Sequence, residues 1–479
     1  MSEALAVVEQ AKVDDLTASD LLRRARSQNA AENRAAADLL VTSARWADLH
    51  PPESTHLAAA FTTPGSEHEE PIAGEGCPLV AEFCVAELGA VLGISSTAAK
   101  KLIGHALELR HRLPRLWSQV HSGSVPAWRA RSVAEATIHS VPSLTREAAG
   151  WVDDQVAAVA GRVGVAQLDR LVAEAIKRFQ LAQPDRAADP DDGYLYVDPR
   201  HVTVLDQDVH FAGTIHVEAD LDLADGIDLD HALSRDAATQ KALGSTETLD
   251  VRRAKALGNL ARTQTALDLA ATAFSSGGRV ADEERGGVSR PDLPNLPAAR
   301  EVVLHAHFDA DITDEGTVFG PTGRMENRQK LLLLEQLQSW CGDSRTEVTV
   351  KPVIDLNHNL TAPGYDIPDR IREQVILRDR TCVFPHCTRP ARGCDIDHVT
   401  AYDHHAEAEG RPQPGPTQSD NLACLCRSHH RLKTFTAWRY AMTEPGVFEW
   451  TSPHGHQFRR DRDGTTPINP AEPEPPERP

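Results

Sequence analysis

The feature that most constrains the fold of this chain is a concentration of cysteines near its C-terminus. Of eight cysteines in 479 residues, five fall in one short segment, namely Cys382, Cys387, Cys394, Cys424 and Cys426. The N-terminal residues, MSEALAVVEQAKVDD, have neither a basic start nor an apolar block, so we expect no signal peptide and a cytoplasmic location. Clustered cysteines in a chain without an export signal are more typical of metal ligands than of disulfides.

The spacing of these residues predicts a structural zinc site. Cys382-x4-Cys387 supplies one pair of ligands, and Cys426-x2-His429 supplies a thiolate and an imidazole. Two close pairs of this kind suit tetrahedral Zn²⁺, and a small Pro-rich unit with few large apolar residues needs such a staple to hold its shape. The other two cysteines of the segment are close enough to replace a ligand, and reduced cysteines without a metal are the alternative.

Between the two ligand pairs lie residues with the chemistry of phosphodiester hydrolysis. This reaction needs a base to activate water and a divalent cation to neutralise charge on the phosphate. His398 can act as the base, since imidazole titrates near neutral pH. Asp397 points to the opposite side of an extended backbone, where a helical His430 can join it in binding a hard cation. Asn421 can fix the backbone through its side-chain amide.

The charge distribution also distinguishes this region from the rest of the chain. The net charge of −20 argues against nucleic acid as a partner of the whole surface. Between residues 370 and 462, however, 14 Arg and Lys against 11 Asp and Glu give +3, which leaves −23 for everything else. Arg427, Arg431 and Lys433 place cations on the predicted helix of His430, where they can hold the phosphate backbone.

The order of these residues resembles that of a known family. It runs Cys-x4-Cys, Asp-His, Asn-Leu-x-x-Leu-Cys-x-x-His-His-Arg-x-Lys, and it is similar to an HNH endonuclease domain of the ββα-metal type with a zinc knuckle. The resemblance covers about residues 380–435, with His430 as the third motif histidine. Where many relatives carry Cys-x2-Cys-His, this chain has His429 as the fourth zinc ligand, which makes that ligand a nitrogen.

The resemblance implies a set of catalytic roles. His398 would be the general base, and Asp397 and His430 would hold one catalytic Mg²⁺ or Mn²⁺. Asn421 would orient the loop that bears His398. Enzymes of this family cut DNA and leave a 5′-phosphate and a 3′-hydroxyl.

The rest of the chain shows mainly helical patterns. The stretch LGISSTAAKKLIGHALELRHRLPRLWSQVHSGSVPAWRARSVAEAT resembles the helical domain that precedes HNH domains in bacterial proteins of the 13E12 repeat family, which implies an architecture but no chemistry. We expect N-terminal helices in 1–50, a helical domain in 79–275 with a β insertion near 194–220, a linker in 276–298, an α/β connecting segment in 299–365, the HNH domain in 366–462 and a disordered tail in 463–479.

The expected fold is therefore a mainly α N-terminal domain with a small β insertion, followed by a small zinc-stapled ββα-metal domain. In the connecting segment, the pattern predicts strands over 301–308 and 347–355 around a helix over 326–340. A hairpin is predicted from strands over 447–450 and 457–459. Trp438 and Trp450 are expected in the core of the small domain.

Three functional hypotheses follow. The first is a metal-dependent DNA endonuclease whose helical domain supplies targeting, regulation or homo-oligomerisation. The second is a zinc-stabilised DNA-binding or interaction protein with an inactive HNH site, which the acidic N-terminal portion favours. The third is a hydrolase whose zinc is itself catalytic, which requires water on the zinc. A membrane partner is not expected, since the chain has no apolar run of the length of a membrane span.

Overall fold

The computed structural model describes most of the chain, in separate segments. The described residues are 13–54, 67–140, 143–181, 200–209, 215–260, 306–313, 316–325, 331–335, 338, 356 and 358–468. Among them, no helix combines the length and the apolar character needed to cross a membrane.

The N-terminal part begins with a long helix, α1, Ala18–Asp48. Its start is fixed by a capping box in which the side chain of Thr17 accepts from the backbone of Asp20 and the Asp20 carboxylate accepts in return. Leu40 and Ala44, one turn apart, are both 1% exposed, so one face of the helix is buried. The helix lies within the segment for which the sequence predicts helices.

A bundle of shorter helices packs with α1. They are α2 Cys84–Leu92, α3 Ser96–His111, α4 Pro114–His121, α5 Ala127–Ile138, α6 Arg146–Ala160 and α7 Val165–Leu181, preceded by the two-residue strands β1 Glu69–Glu70 and β2 Val80–Ala81. Leu109, Leu116 and Val152 are fully buried in a core shared by α1 and α3 to α7. Helices α2 to α7 lie within the stretch 79–275, for which the sequence predicts helices.

A buried ion pair lies in the bundle. Arg112 donates to Glu108 at 2.8 Å, and both side chains are 0% exposed. Thr137 of α5 and the backbone of Gly74 also donate to the Glu108 carboxylate. A Cβ atom at Gly74 would lie 1.3 Å from Nη1 of Arg112, so only glycine allows this approach. The charged pair thus joins α3, α5 and the segment before α2.

A second compact unit comprises Asp198–Val350, while the remainder of the chain, Met1–Val197 with Lys351–Pro479, forms the first. The described elements of the second unit are β3 His201–Val209, β4 Ile215–Asp220, α8 Leu223–Ala242, a helical segment over 249–260, β5 Ala306–Thr313, β6 Gly316–Met325 and β7 Leu331–Leu333. β3 pairs antiparallel with β4, and β5, β6 and β7 form a three-stranded antiparallel sheet. The predicted β insertion is therefore present at His201–Asp220.

One element of this unit differs from the prediction. The sequence predicts a helix over 326–340, and this prediction is wrong at residues Leu331–Leu333. These residues form strand β7, which pairs with Thr322–Arg324 of β6. The reason is that a run of four leucines carries no helical period, and a short apolar run fits a strand equally well. The predicted strand over 347–355 and the linker over 276–298 lie outside the described residues.

The C-terminal part of the first unit contains a two-stranded sheet followed by a helix. Its elements are α9 Asp369–Asp379, β8 Asp395–His398, α10 His404–Ala408, β9 Leu422–Leu425 and α11 Arg427–Phe435. In the antiparallel β8–β9 pair, Asp395 lies opposite Leu425 and His398 lies opposite Leu422. α11 starts directly after β9, so the helix and strand β8 come to lie side by side.

The last four described strands form an antiparallel meander. They are β10 Arg439–Glu444, β11 Val447–Thr451, β12 Gln457–Asp461 and β13 Gly464–Pro467. Trp438 and Trp450 are 2% and 0% exposed, which confirms them as core residues. β13 corrects the predicted start of a disordered tail at Asp463, because Gly464, with φ 139°, turns the chain back to pair with β12. Residues 469–479 lie outside the described part.

The first unit combines segments that are distant in the sequence. The division at residue 198 falls inside the stretch 79–275 that we predicted as one domain. Residues of α2 and of the C-terminal elements share one apolar cluster. The described architecture is helix-rich with small antiparallel sheets, and it carries a Cys/His group near the C-terminus.

Candidate metal centres

The four predicted zinc ligands come together. Cys382, Cys387, Cys426 and His429 each offer one ligand atom, and these atoms all lie within 4.8 Å of one another. Nδ1 of His429 is 3.5 Å from Sγ of Cys382 and 3.2 Å from Sγ of Cys426. Ligand atoms around a tetrahedral zinc with bonds of roughly 2.0–2.3 Å are about 3.5–3.8 Å apart. The group therefore has the composition and spacing to hold a metal ion such as zinc.

Local backbone structure sets up both halves of this group. Between the first two cysteines the chain makes a turn in which Cys387 N donates to the carbonyl oxygen of Phe384 and His386 adopts a left-handed φ of 56°. Cys426 is the N-cap residue of α11, and His429 lies in the first turn of that helix. A tight turn and a helix start thus direct two ligands each toward one point.

The three thiols of this group differ in how readily they ionise. Burial raises the pKa of Cys382 well above its usual value, and hydrogen bonds with Cys382 raise that of Cys387. Hydrogen bonds from the same two thiols lower the pKa of Cys426, so negative charge collects on its sulfur. A divalent cation at this position would allow all three thiols to ionise, because it offsets the loss of hydration.

The two other cysteines of the segment do not join this group. Sγ of Cys394 donates to the carbonyl oxygen of Pro390 at 3.4 Å. Cys424 is fully buried in a separate apolar cluster with Leu422. The predicted ligand set, rather than a replacement by either cysteine, forms the cluster.

A second candidate site lies between β8 and α11. Oδ1 of Asp397 is 3.3 Å from Nε2 of His430. Asp395, two residues earlier on β8, lies 2.9 Å from the other ring nitrogen, Nδ1. Because residues i and i+2 of a strand share a face, both carboxylates reach the same imidazole. An imidazole held by one carboxylate and presented beside another is typical of metal sites with an outer-shell partner.

The carboxylate of Asp397 has further partners. The hydroxyl of Tyr440 donates to Oδ2 at 2.7 Å, and Nζ of Lys433 lies 2.9 Å from the same oxygen and 3.0 Å from the carbonyl oxygen of His398. Burial opposes ionisation of Asp397, but its interactions with His430 and Lys433 outweigh burial and lower the pKa. The carboxylate therefore stays ionised.

His398 lies next to Asp397, in a more enclosed environment. It is 6% exposed, and its Nε2 is 3.0 Å from Oγ1 of Thr417. The ring of Tyr365 stacks on the imidazole with centroids 5.3 Å apart and planes at 14°. Burial lowers the pKa of His398, so the ring is neutral at neutral pH. A neutral imidazole can accept a proton.

Asn421 lies in a single 3₁₀ turn before β9 and links two loops. Its Oδ1 accepts from the backbone of Thr400 at 2.9 Å, and its Nδ2 donates to the carbonyl oxygens of Thr400 and Pro416 at 3.0 Å. Its own carbonyl oxygen accepts from Val399. The side chain thus holds the segment that directly follows His398.

The three cations predicted to contact phosphate differ in their surroundings. The side chain of Arg427 is 77% exposed, although Nη1 lies 3.1 Å from Asp395. Arg431 is 22% exposed and makes two hydrogen bonds to Glu82, at 2.7 and 2.8 Å. Lys433 is 20% exposed and pairs with Asp397. All three cations therefore contact carboxylates of the chain itself, and Arg427 alone of the three keeps most of its side chain exposed.

Sequence reasoning missed several residues that surround the site. Asp395 had a detectable signal, because the Asp-x-Asp alternation with Asp397 places both carboxylates on one face of a strand. Thr417, Tyr365 and Tyr440 reach the site from loops and from a later strand. No local pattern marks them, because their proximity arises only when the chain folds.

Comparisons with known proteins find relatives but no assigned activity. The chain is 28% identical over 441 residues to the "Uncharacterized protein Rv3776" of Mycobacterium tuberculosis, covering 82% of this chain and 75% of that protein. It is also 28% identical over 427 residues to the "Uncharacterized protein Rv2100" of the same organism, covering 79% of this chain and 68% of that protein. No protein-family model matches the chain. No solved structure matches it either.

Proposed function

We propose that this chain is a metal-dependent DNA endonuclease of the HNH type, with a zinc-stapled C-terminal domain that hydrolyses phosphodiester bonds. The observation that carries the proposal is the 3.3 Å separation of Asp397 Oδ1 and His430 Nε2, next to His398 on the same strand. An oxygen and a nitrogen donor at this separation can share one divalent cation. Two protein ligands leave other positions of an octahedral ion for water and phosphate.

Asp397 and His430 would hold Mg²⁺ or Mn²⁺, which would neutralise charge on the phosphate and on the leaving oxygen. Asp395 accepts from Nδ1 of His430 and so holds the ring with Nε2 directed toward Asp397. Hydrogen bonds to Asp397 and Asp395 raise the pKa of His430, so a bound ion would have to displace the proton from Nε2. Lys433 adds positive charge beside the Asp397 carboxylate. The cluster of three cysteines and His429 would hold a structural Zn²⁺ that fixes the start of α11 and thereby His430.

His398 acts as the general base in this proposal. Its lowered pKa leaves the ring neutral, and the hydrogen bond to Thr417 fixes the ring orientation. The ring takes a proton from the water that attacks phosphorus, the bond between phosphorus and the 3′-oxygen breaks, and that oxygen takes up a proton from solvent. The products are a 5′-phosphate and a 3′-hydroxyl. Asn421 holds the backbone that follows His398. A cytoplasmic location and a targeting or homo-oligomerising role for the helical bundle complete the proposal.

The test is Mg²⁺- or Mn²⁺-dependent nicking of supercoiled plasmid by the purified full chain and by His398→Ala. Loss of a general base is expected to slow nicking by roughly 10²- to 10⁴-fold. His405→Ala, an exposed histidine on α10, is the matched control and should nick at the wild-type rate. Undiminished nicking by purified His398→Ala would contradict the assigned role.

A second candidate function is DNA binding by an HNH-like site that does not cleave. Two observations favour this function. His398 is buried beneath the ring of Tyr365, which limits access of water to the base, and Lys433 forms an ion pair with Asp397, which competes with a metal ion for that carboxylate. It predicts DNA binding in a fluorescence anisotropy titration without nicking in any divalent cation. A catalytic zinc has less support, because four protein ligands fill a tetrahedral ion.

A further inference from the structure

The zinc-ligating imidazole has a partner on a distant part of the chain. Oγ of Ser96, the first residue of α3, is 2.9 Å from Nε2 of His429. The two residues are separated by more than 300 positions in the sequence, and Ser96 is partly buried. α3 belongs to the helical bundle, whereas His429 belongs to the Cys/His cluster.

The His429 ring is held on three sides, and Ser96 provides the contact at Nε2. Nδ1 of the ring faces the sulfurs of Cys382 and Cys426. The ring of Phe384 stacks on it with centroids 3.9 Å apart and planes at 15°. Ligation through Nδ1 requires the proton to be on Nε2, and a hydroxyl oxygen at 2.9 Å accepts from that position. The serine can therefore accept from the tautomer that a metal ion needs, and it fixes the direction in which the ring faces.

The contact lies inside a larger junction between α2 and the C-terminal elements. Phe83, Ala86 and Ala90 are buried in the same apolar cluster as Cys382 and Cys426. The helical bundle therefore supplies part of the apolar surroundings of the Cys/His cluster.

Charged and polar contacts surround this apolar junction. Arg431 binds Glu82 through two hydrogen bonds, and its guanidinium lies 5.3 Å from the ring of Phe83. Glu87 accepts from the backbone of His454 at 3.0 Å and lies 2.9 Å from its Nδ1. Contacts just before α2 and in its first turn thus hold α2, which directly precedes α3, against the C-terminal elements.

We propose that α2 and α3 form the outer part of the zinc site and that Ser96 is a positioning residue for the ligand His429. The inference rests on the zinc component of the proposed function and not on nuclease activity. Zinc binding and the docking of α2 and α3 are then coupled, and each stabilises the other by the same factor.

The first experiment measures zinc affinity of the full chain by competition with a chromophoric chelator. Ser96→Ala is expected to bind zinc about 10- to 100-fold more weakly, as for loss of an outer-shell partner. Ser96→Thr keeps the hydroxyl and should bind as the wild type does. Thr97→Ala is the matched control, because Thr97 is an exposed residue in the same turn of α3.

The second experiment needs no variant. Amide hydrogen exchange of the wild-type chain is compared before and after zinc is removed with a chelator. Coupling predicts faster exchange in α2 and α3 after removal, with little change in α6 and α7, which do not contact the cluster. Equal exchange in α2 and α3 before and after zinc removal, or equal zinc affinity of Ser96→Ala and Thr97→Ala, overturns the inference.

The outcomes separate this inference from the proposed function. A wild-type chain that binds no zinc overturns both the inference and the zinc component of the proposal. Weaker zinc binding by Ser96→Ala in a chain that never nicks DNA supports the inference and contradicts the endonuclease. If the wild-type chain nicks plasmid and Ser96→Ala binds zinc as tightly as the wild type, the endonuclease is supported and the inference is overturned.

Discussion

At the scale of single residues, the candidate catalytic site is organised by hydrogen bonds to imidazole nitrogens. His430 is held at Nδ1 by Asp395 and faces Asp397 with Nε2. His398 is held at Nε2 by Thr417. Each of these bonds fixes the orientation of an imidazole ring, and hence which ring nitrogen faces the rest of the candidate site.

Asp395→Asn tests the control that this carboxylate exerts on His430. The amide lacks the charge that favours a proton on Nδ1, so we expect Mn²⁺ affinity to fall by roughly 10-fold or more. Free Mn²⁺ measured by electron paramagnetic resonance gives the affinity of the zinc-loaded chain.

Glu449→Gln, an exposed residue of β11, removes the same charge from the same part of the chain and serves as the control. Equal Mn²⁺ affinity of Asp395→Asn and Glu449→Gln would show that Asp395 does not orient a metal ligand.

At the scale of secondary-structure elements, ionic contacts join helices of the bundle. Glu135 of α5 accepts from Lys101 of α3 at 2.8 Å and contacts the buried His105 one turn further along. The hydrogen bond from Lys101 is the main cause that lowers the pKa of Glu135 to about 2, and His105 acts in the same direction. Burial lowers the pKa of His105, so its ring tends to stay neutral.

This contact predicts a pH-dependent contribution to stability. The pKa of Glu135 is lower in the folded chain than its ordinary value of 4.5, so the carboxylate stabilises the fold above about pH 4.5. The contribution is lost as the pH falls from 4.5 toward 2. We therefore expect Glu135→Gln to be less stable than the wild type at pH 7, with a difference that shrinks on acidification.

Urea midpoints of both proteins at pH 7, 4.5 and 3 measure this difference. Glu32→Gln, at an exposed position of α1, is the control and should show no such trend. A difference between Glu135→Gln and wild type that stays constant with pH would contradict the assignment.

At the scale of the whole molecule, charge is divided unequally. The chain carries −20 overall, although residues 370–462 carry +3. Arg427, Arg431 and Lys433 each pair with a carboxylate of the chain, but the side chain of Arg427 is largely exposed whereas the other two are mostly buried. Few cations on α11 remain available to phosphate, so the acidic surface would repel DNA away from this site.

This distribution makes a prediction for the salt dependence of DNA binding. Arg427→Gln should reduce the slope of log K against log salt concentration by about 1, since one phosphate contact is lost. Arg431→Gln should leave the slope unchanged and lower the thermal stability, because Arg431 binds Glu82. Anisotropy titrations at several salt concentrations give the slopes, and equal slopes for wild type and Arg427→Gln would exclude that contact.

Much of the fold could be predicted because the relevant signals are local. The capping box at Thr17, the helical spacing of Leu40 and Ala44, and the alternation in His201–Asp220 each determine structure over a few residues. The strand Leu331–Leu333 was mistaken for helix, since its partner β6 lies outside any local window. A local pattern cannot distinguish a buried strand from a buried helix when both would be equally apolar and only pairing with a distant strand decides between them.

The sequence by itself determined the composition of the metal group, because ligand chemistry and the spacing of two short motifs suffice to select Cys382, Cys387, Cys426 and His429. Only the tertiary structure brought Ser96 to His429, Glu82 to Arg431 and Tyr365 to His398. The physical reason is that ligand pairs are close along the chain and need one turn to meet. Contacts across hundreds of residues depend instead on how whole helices and strands pack.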